Sequence, residues 1–170
     1  MAQPFVFPRE YHFPPFFTRQ TNLTTHHAQL TKWSSLILSY CQHYRIFKLP
    51  LSSAALPGIN ALPALPVVPA LSNVTTTADI DDLFHNKRLN RRLSLADTRE
   101  VLDFMRRDGR AEYVGRDGTG DVCWIYWRTP EEWATIIEAW IDETAQKGTV
   151  LTLYELTEGE RTRGTGWFPS

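Results

Sequence analysis

Side chains capable of acid–base chemistry occur in this chain, but not in the groupings that catalysis requires. The five histidines include one adjacent pair, His26 and His27, at the start of a predicted helix, where solvated side chains are the ordinary interpretation. Glu131 and Glu132 are neighbouring carboxylates, yet their place in a first helical turn is explained by capping and by the helix dipole. We therefore predict no catalytic residue, no cofactor and no enzymatic activity.

The two cysteines give no sign of a metal centre. Cys41 and Cys123 lie 82 positions apart, without CxxC spacing and without a neighbouring set of histidine or cysteine ligands. This pattern predicts two core thiols in a reducing compartment. The N-terminus has no basic stretch followed by an apolar run, so no signal peptide is predicted. A cytoplasmic location follows as the expectation.

The segment YHFPPFFTRQ, residues 11–20, indicates peptide docking. Its prolines fix φ and remove amide donors, which predicts extended or polyproline-like backbone over residues 1–23. A Pro-Pro backbone loses little entropy on binding, and large rings supply contact area. As an alternative, Phe13, Phe16 and Phe17 fold back over their own domain. We favour docking into a groove of another protein, through Tyr11, Phe13, Pro14, Pro15, Phe16 and Phe17.

The elements after this segment begin with a helix and a strand. Apolar residues at three- and four-residue steps predict a helix over 24–44, and RIFKL predicts a strand directly after it. The next stretch, 49–79, contains no charged residue until Asp79 and is rich in proline and alanine. Its prolines interrupt any helix long enough to span a membrane. We interpret 49–79 as a disordered insertion in a loop.

Two helices and a hairpin are predicted after the insertion. Phe84, Leu89 and Leu93 indicate a short helix. The next helix begins at the N-cap Ser94 and ends at Gly109. Two strand-like runs, AEYVG and VCWIYWR, then form a hairpin around an Asp-Gly turn. The order helix, strand, helix, helix, hairpin predicts a winged helix over 24–128.

A second unit begins at Thr129. Thr129 is an N-cap residue, Pro130 occupies the first helical position, Glu132 completes a capping box, and Gly148 ends the predicted helix. TVLTLYEL then alternates like a strand. We predict a partial second winged helix over 129–160 and a disordered tail over 161–170. The apolar face of the helix that begins at Thr129 must be buried against other residues. These belong either to the first unit or, as we favour, to further sequence of a longer protein. The fold class is therefore α+β, a tandem winged helix with only the first helix and strand of the second domain.

Charge is distributed unevenly between the two units. The net charge is −1, but residues 85–110 hold eight Lys or Arg against four Asp or Glu, and residues 129–160 hold eight acidic residues and one lysine. Winged helices often bind DNA, so a nucleic-acid-binding protein using the basic 85–110 segment is the alternative hypothesis. Asp97, Glu100 and Asp103 lie on the exposed side of the predicted helix and would repel phosphates. We therefore expect no nucleic-acid partner.

Four stretches together resemble one known family: YHFPPFFTRQTN at 11–22, RTPEEWATIIEAWI at 128–141, TLYELTEGE at 152–160 and, in support, LFHNKRLNRRL at 83–93. On these residues the chain is similar to the family of the ESCRT-II complex small subunit, vacuolar protein sorting-associated protein 25. The resemblance covers residues 9–48 and 80–160.

The resemblance implies a non-enzymatic subunit that joins two larger ESCRT-II subunits. Such a complex sorts ubiquitinated membrane proteins into multivesicular bodies at endosomes, and this subunit meets the membrane only through the complex. The family's Pro-Pro-x-Phe motif, which docks into the larger subunits, corresponds to Pro14, Pro15 and Phe17. The family's second winged helix recruits an ESCRT-III subunit. Because only part of that domain is predicted here, no ESCRT-III contact residue is assigned.

Overall fold

The computed structural model describes residues 4–51, 77–114, 120–157 and 159. The chain divides into two compact units, residues 1–127 and 128–170. This division falls one residue before the boundary predicted between 128 and 129.

The first unit begins with two short 3-10 helical turns, Arg9–His12 and Pro14–Phe17. The Phe16 N–H donates to the Phe13 carbonyl at 2.9 Å, which closes the second turn. The prediction of extended or polyproline-like backbone over 1–23 is therefore wrong for these residues. Pro14 occupies the first position of its turn, where a missing N–H costs no internal hydrogen bond, so proline is compatible with the turn.

Helix α1, Leu23–Tyr44, confirms the helix predicted over 24–44. The Asn22 side chain caps it by accepting from the N–H groups of Thr24 and Thr25 at 3.0 and 3.1 Å. Arg45, at φ 56°, ends the helix in the left-handed conformation. Strand β1, Lys48–Pro50, follows and confirms that the chain returns as a strand after α1.

Part of the predicted 49–79 insertion belongs to the fold. Leu49 lies in β1, and both Leu49 and Leu51 are fully buried. Helix α2, Thr77–Phe84, begins before the predicted end of the insertion. The rest of that stretch, 52–76, lies outside the described residues. Among the residues that are described, no helix is both long and apolar enough to cross a membrane.

The short helix predicted around Phe84, Leu89 and Leu93 is wrong, because α2 ends at Phe84 and a small hairpin follows. Strands β2, His85–Asn86, and β3, Arg91–Arg92, pair antiparallel. The turn between them uses Asn86, whose Oδ1 accepts the Leu89 N–H at 3.0 Å, and Asn90, at φ 50°. Asparagine tolerates this left-handed conformation better than most residues, which favours a turn over continued helix.

Helix α3, Leu95–Arg107, and the next hairpin confirm the predicted elements. The Ser94 side chain accepts the Asp97 N–H at 3.1 Å, and Gly109 takes φ 69° beyond the helix end. Strands β4, Ala111–Tyr113, and β5, Val122–Ile125, pair antiparallel. Strand β1 pairs with the other edge of β5, so the sheet order is β1-β5-β4. The predicted Asp-Gly turn lies outside the described residues.

The core of the first unit forms where α1 packs on α3 and α3 packs on β4. Cys41 and Cys123 are buried free thiols, which confirms their predicted place in the core. Burial raises the pKa of the Cys123 thiol to about 11. The other large, fully buried side chains of this core are Trp33, Ile37, Leu49, Leu51, Leu83, Phe84, Leu102, Met105 and Ile125.

The second unit contains helix α4, Pro130–Glu143, and helix α5, Leu153–Thr157. The capping box of α4 is confirmed, although the helix ends at Glu143 rather than at Gly148. The strand predicted from TVLTLYEL is wrong. Thr152 accepts the Glu155 N–H at 3.2 Å, and Glu155 accepts the Thr152 N–H at 2.8 Å. This reciprocal pair starts a helix where the alternating pattern indicated a strand.

Candidate docking surface

The six residues predicted to contact a partner fall into two groups. Tyr11, Phe16 and Phe17 are buried, with 4%, 6% and 4% of their surface exposed. Phe13 is 60% exposed, and Pro14 and Pro15 are also exposed. That all six contact a partner stays a prediction, and of these six only Phe13, Pro14 and Pro15 present exposed surface for such a contact. The alternative, folding back over the same domain, is correct for Phe16 and Phe17 and wrong for Phe13.

Aromatic packing on α1 holds the second 3-10 turn in place. The Phe16 ring stacks on the Trp33 indole with centroids 4.5 Å apart and planes 3° from parallel. Phe17 meets the same indole edge-on at 5.4 Å. Trp33 has no exposed surface, and the centroid of the Phe84 ring lies 6.2 Å from that of its indole. Such aromatic pairs contribute about 0.5–1.5 kcal/mol beyond the burial of their area.

Gln29 and Trp33 also bind the backbone of the segment. The Gln29 Nε2 group donates to the carbonyls of Phe16 and Thr18, both at 2.8 Å. The Trp33 Nε1–H donates to the Phe16 carbonyl at 2.9 Å. The Gln29 Oε1 accepts the Gln20 N–H at 3.3 Å. The two bonds to the Phe16 carbonyl are buried, and each removes a desolvation penalty of about 1–3 kcal/mol.

The first 3-10 turn is held by Tyr11. Its ring stacks on Phe7 at 3.9 Å, and its hydroxyl donates to the Asp82 carbonyl. The Asn86 side chain donates to the Tyr11 carbonyl at 2.8 Å. Burial raises the pKa of the Tyr11 hydroxyl well above its ordinary value. The segment is thereby tied to α2 and β2 as well as to α1.

Phe13, between the two turns, and Pro14 and Pro15, at the start of the second turn, form an exposed ridge. We call these three residues the docking ridge. Beside the ridge is a cleft of about 180 Å³. Lys32 and Glu10 lie on its rim and form an ion pair at 2.8 Å. The cleft is lined by Glu10, Phe13, Pro15, Phe16, Gln20, Thr25, Ala28, Gln29 and Lys32.

Glu100 on α3 links the segment to α1 through charge. The Arg19 guanidinium donates to both carboxylate oxygens, at 2.9 and 3.2 Å, and His26 Nε2 lies 3.0 Å from Oε1. These contacts, with Arg19 the larger cause, lower the pKa of the Glu100 carboxyl to about 2. The side chain is 36% exposed, so solvent screens part of this interaction.

The low pKa of Glu100 predicts an acid-sensitive contribution to stability. The carboxylate stabilises the folded state above its unfolded pKa of about 4.3, and this contribution is lost as the pH falls toward about 2. We expect Glu100→Gln to flatten the fall of unfolding free energy across this window. Urea unfolding at a series of pH values measures the unfolding free energy of each protein. Glu138→Gln, which removes an exposed carboxylate of α4, is the matched control. Equal slopes in wild type and Glu100→Gln would contradict the assignment.

The basic 85–110 segment is partly neutralised within the fold. Lys87 pairs with Asp82 at 2.5 Å, and Arg92 pairs with Asp81 at 2.7 Å. These carboxylates compete with phosphate for the two cations. The positive charge that the alternative hypothesis offers to nucleic acid is reduced accordingly.

Comparison with known proteins places this chain in a family. The sequence profile of one family, described as ESCRT-II complex subunit, matches residues 10–168. The chain belongs to this ESCRT-II family. The match includes the docking ridge, the second turn, all of the first turn except Arg9, and α1 to α5.

Relatives of the ESCRT-II family support this membership at the level of sequence and fold. The chain is 34% identical to vacuolar protein-sorting-associated protein 25 of Xenopus laevis, over 94% of this chain and 77% of the relative. It is 34% identical to the protein of that name in Homo sapiens, over 95% and 77%. It also resembles a chain in the crystal structure of the endosomal complex ESCRT-II, VPS22/VPS25/VPS36, with a TM-score of 0.67 at 25% identity, over 91% and 76%.

Sequence reasoning missed several residues that shape the candidate site in this ESCRT-II family member. Trp33 lies on the predicted apolar face of α1, which indicates burial but not that it faces the N-terminal segment. Gln29 carries no sequence signal of its own, because its function depends on carbonyls that are distant along the chain. Arg19 and Glu100 are 81 positions apart, and only the packing of α3 brings them together.

Proposed function

We propose that this protein is the small subunit of an ESCRT-II complex and joins the two larger subunits of that complex. It acts without catalysis in sorting ubiquitinated membrane proteins into multivesicular bodies. It works in the cytoplasm and reaches the endosomal membrane through the complex. Support comes from the family match over 10–168 and from the likeness to a chain of the VPS22/VPS25/VPS36 complex. The order of elements in the first unit supports a winged helix there.

The docking ridge is the surface that we assign to the larger subunits, and its exposure carries the assignment. Phe13 exposes 60% of its surface although large rings favour burial. The chain is fixed before the ridge by Tyr11 and after it by Phe16 and Phe17, so the ridge loses little freedom when it binds. An aromatic ring beside two rigid prolines is the type of anchor that concentrates binding energy at interfaces.

Alanine substitution of the docking ridge tests this function. We expect Phe13→Ala with Pro15→Ala to weaken co-purification with the two larger subunits by at least about thirtyfold, the factor for a hot spot of about 2 kcal/mol. The reason is lost contact area and a more flexible ridge. Affinity pull-down from cells that co-express the three proteins measures it. Phe17 is left intact, because its burial would confuse binding with folding.

Leu23→Ala is the matched control, since Leu23 is 83% exposed but lies outside the ridge. The control should assemble like wild type. Thermal unfolding of each purified variant checks that the fold is retained. If the double variant keeps its fold and assembles like wild type, the docking ridge does not bind the larger subunits.

A further inference from the structure

Two arginines precede the serine that caps α3. Residues 91–95 read RRLSL, which places Arg91 three positions and Arg92 two positions before Ser94, with the apolar Leu95 directly after it. Protein kinases select substrates largely by such charge patterns, because carboxylates of the kinase bind the guanidinium groups of the substrate. Arginine at both positions, followed by serine and an apolar residue, is the pattern that basophilic serine kinases select.

The backbone of this stretch has the conformation that a kinase binds. Kinases hold the residues before the acceptor serine as an extended chain. Arg91 and Arg92 form β3, and Ser94 is also extended, at φ −66° and ψ 156°. Of the residues that the pattern specifies, only Leu95 lies in a helix, as the first residue of α3. The arginines and the serine therefore lie on extended chain.

The side chains that the pattern specifies reach the surface. Arg91 and Ser94 are exposed, Leu95 is half-buried, and the Arg92 side chain is 28% exposed. Leu93 is 2% exposed, and it occupies the one position that the pattern leaves unspecified. Strands β2 and β3 have two residues each, and a two-stranded hairpin of this size adds little stability, so a kinase can open it locally.

The structure of the unmodified protein explains the serine but not Arg91. The Ser94 Oγ accepts the Asp97 N–H at 3.1 Å and donates to Asp97 Oδ2 at 2.6 Å, as expected of an N-cap. Arg92 is paired with Asp81 at 2.7 Å. Within the part of the chain that the structure describes, Arg91 makes no ion pair. The charge of Arg91 is therefore available to another protein.

We propose that Ser94 is a phosphorylation site for a serine kinase that selects arginine two and three positions before the acceptor. The Ser94 Oγ attacks the γ-phosphorus of ATP, the bond from that phosphorus to the bridging oxygen breaks, and ADP leaves. The hydroxyl proton passes to the catalytic aspartate of the kinase. This modification concerns the chain itself and does not depend on the partners of the docking ridge.

Phosphorylation changes the charge and the cap at the start of α3. Phosphoserine keeps an acceptor at the helix N-terminus, but it removes the donor to Asp97 Oδ2 and places like charge beside that carboxylate. It also adds about two negative charges to residues 85–110, which hold eight basic and four acidic residues. The basic character of that surface is reduced as a result.

Phosphorylation of the intact, folded chain tests the assignment. The probe is the catalytic subunit of cyclic-AMP-dependent protein kinase, supplied with ATP and Mg²⁺. Mass spectrometry of proteolytic fragments locates the phosphate. We expect near-stoichiometric phosphate on Ser94 and none on this fragment in Ser94→Asn, because asparagine is a good N-cap residue without a hydroxyl. A synthetic peptide of residues 88–98 serves as the unfolded acceptor.

Two arginine variants separate recognition by the kinase from a general effect of charge. Arg91→Ala should lower kcat/KM for phosphoryl transfer to the chain by about tenfold or more, as expected for the loss of one charge-assisted hydrogen bond. Arg88→Ala is the matched control, since Arg88 is an exposed arginine of the same hairpin outside the pattern, and it should leave kcat/KM unchanged. Arg92 is left intact, because the loss of its pair with Asp81 would confuse recognition with folding.

Absence of phosphate on Ser94 of the folded chain would overturn the assignment. If the peptide is phosphorylated under the same conditions, the fold is what conceals the serine. Equal kcat/KM for Arg91→Ala and wild type would overturn the selection of arginine. The wild-type measurement needs no variant, so it decides even if Ser94→Asn fails to fold. Failure of the docking ridge to bind the larger subunits would leave each of these results unchanged.

Discussion

Trp33→Ala is expected to remove most of the stability of the first unit. The indole has no exposed surface and contacts the rings of Phe16, Phe17 and Phe84. Truncation leaves a cavity and also removes the donor to the Phe16 carbonyl. A loss of about 3–5 kcal/mol follows from comparable core substitutions, against a total of about 5–15 kcal/mol for a typical domain. Urea unfolding followed by circular dichroism measures the difference.

Trp33→Phe is the matched control for this prediction. It keeps an aromatic ring beneath Phe16 but removes the indole N–H. Gln29 still donates to the same carbonyl, so we expect a smaller loss of about 1–2 kcal/mol. A loss below about 1 kcal/mol for Trp33→Ala would show that Trp33 does not join the N-terminal segment to the core.

Phe17→Ala and Phe13→Ala should differ strongly although they are the same substitution four residues apart. Phe17 is buried between Tyr11 and Trp33, with ring centroids at 5.3 and 5.4 Å. Its truncation should cost about 3–5 kcal/mol of unfolding free energy. Phe13 is mostly exposed, so its truncation should change stability by no more than about 0.5 kcal/mol. Thermal and urea unfolding of the two single variants measure this contrast.

Equal effects of the two substitutions would contradict the division of the segment into buried anchors and an exposed ridge. A destabilised Phe13→Ala would place that ring in the core. An unchanged unfolding free energy for Phe17→Ala would indicate that the second turn does not pack against α1. Either result would also require a different choice of variants for the assembly experiment.

Local sequence signals predicted the elements that depend on local chemistry. Ser94 and Thr129 mark the starts of α3 and α4, because a cap is formed by neighbours along the chain. The spacing of apolar residues predicted α1 to within one residue. Three- and four-residue steps describe one face of a helix wherever that face is finally buried.

Elements and contacts that depend on competing signals were not predictable in the same way. TVLTLYEL alternates like a strand, yet the Thr152–Glu155 capping box outweighs the alternation and starts α5. Likewise, composition does not distinguish Phe13 from Phe16, since both are phenylalanines beside proline. Which ring is buried depends on how the 3-10 turn lies against Trp33, a residue 17 positions from Phe16. Contacts of this kind are absent from any short window of sequence.

Gln29 and Trp33 donate hydrogen bonds to backbone carbonyls of the segment, so the residues that take part in this attachment differ in how freely they can be substituted. Every amino acid supplies a carbonyl, so the identity of the side chain at Thr18 is not what these donors recognise. Orthologues are therefore free to vary Thr18, while truncation of Gln29 would remove the donor to two carbonyls at once. A designed protein with the same attachment would need the side chains of Gln29 and Trp33 and the ring of Phe16. Many residues between Phe16 and Gln29 could be substituted.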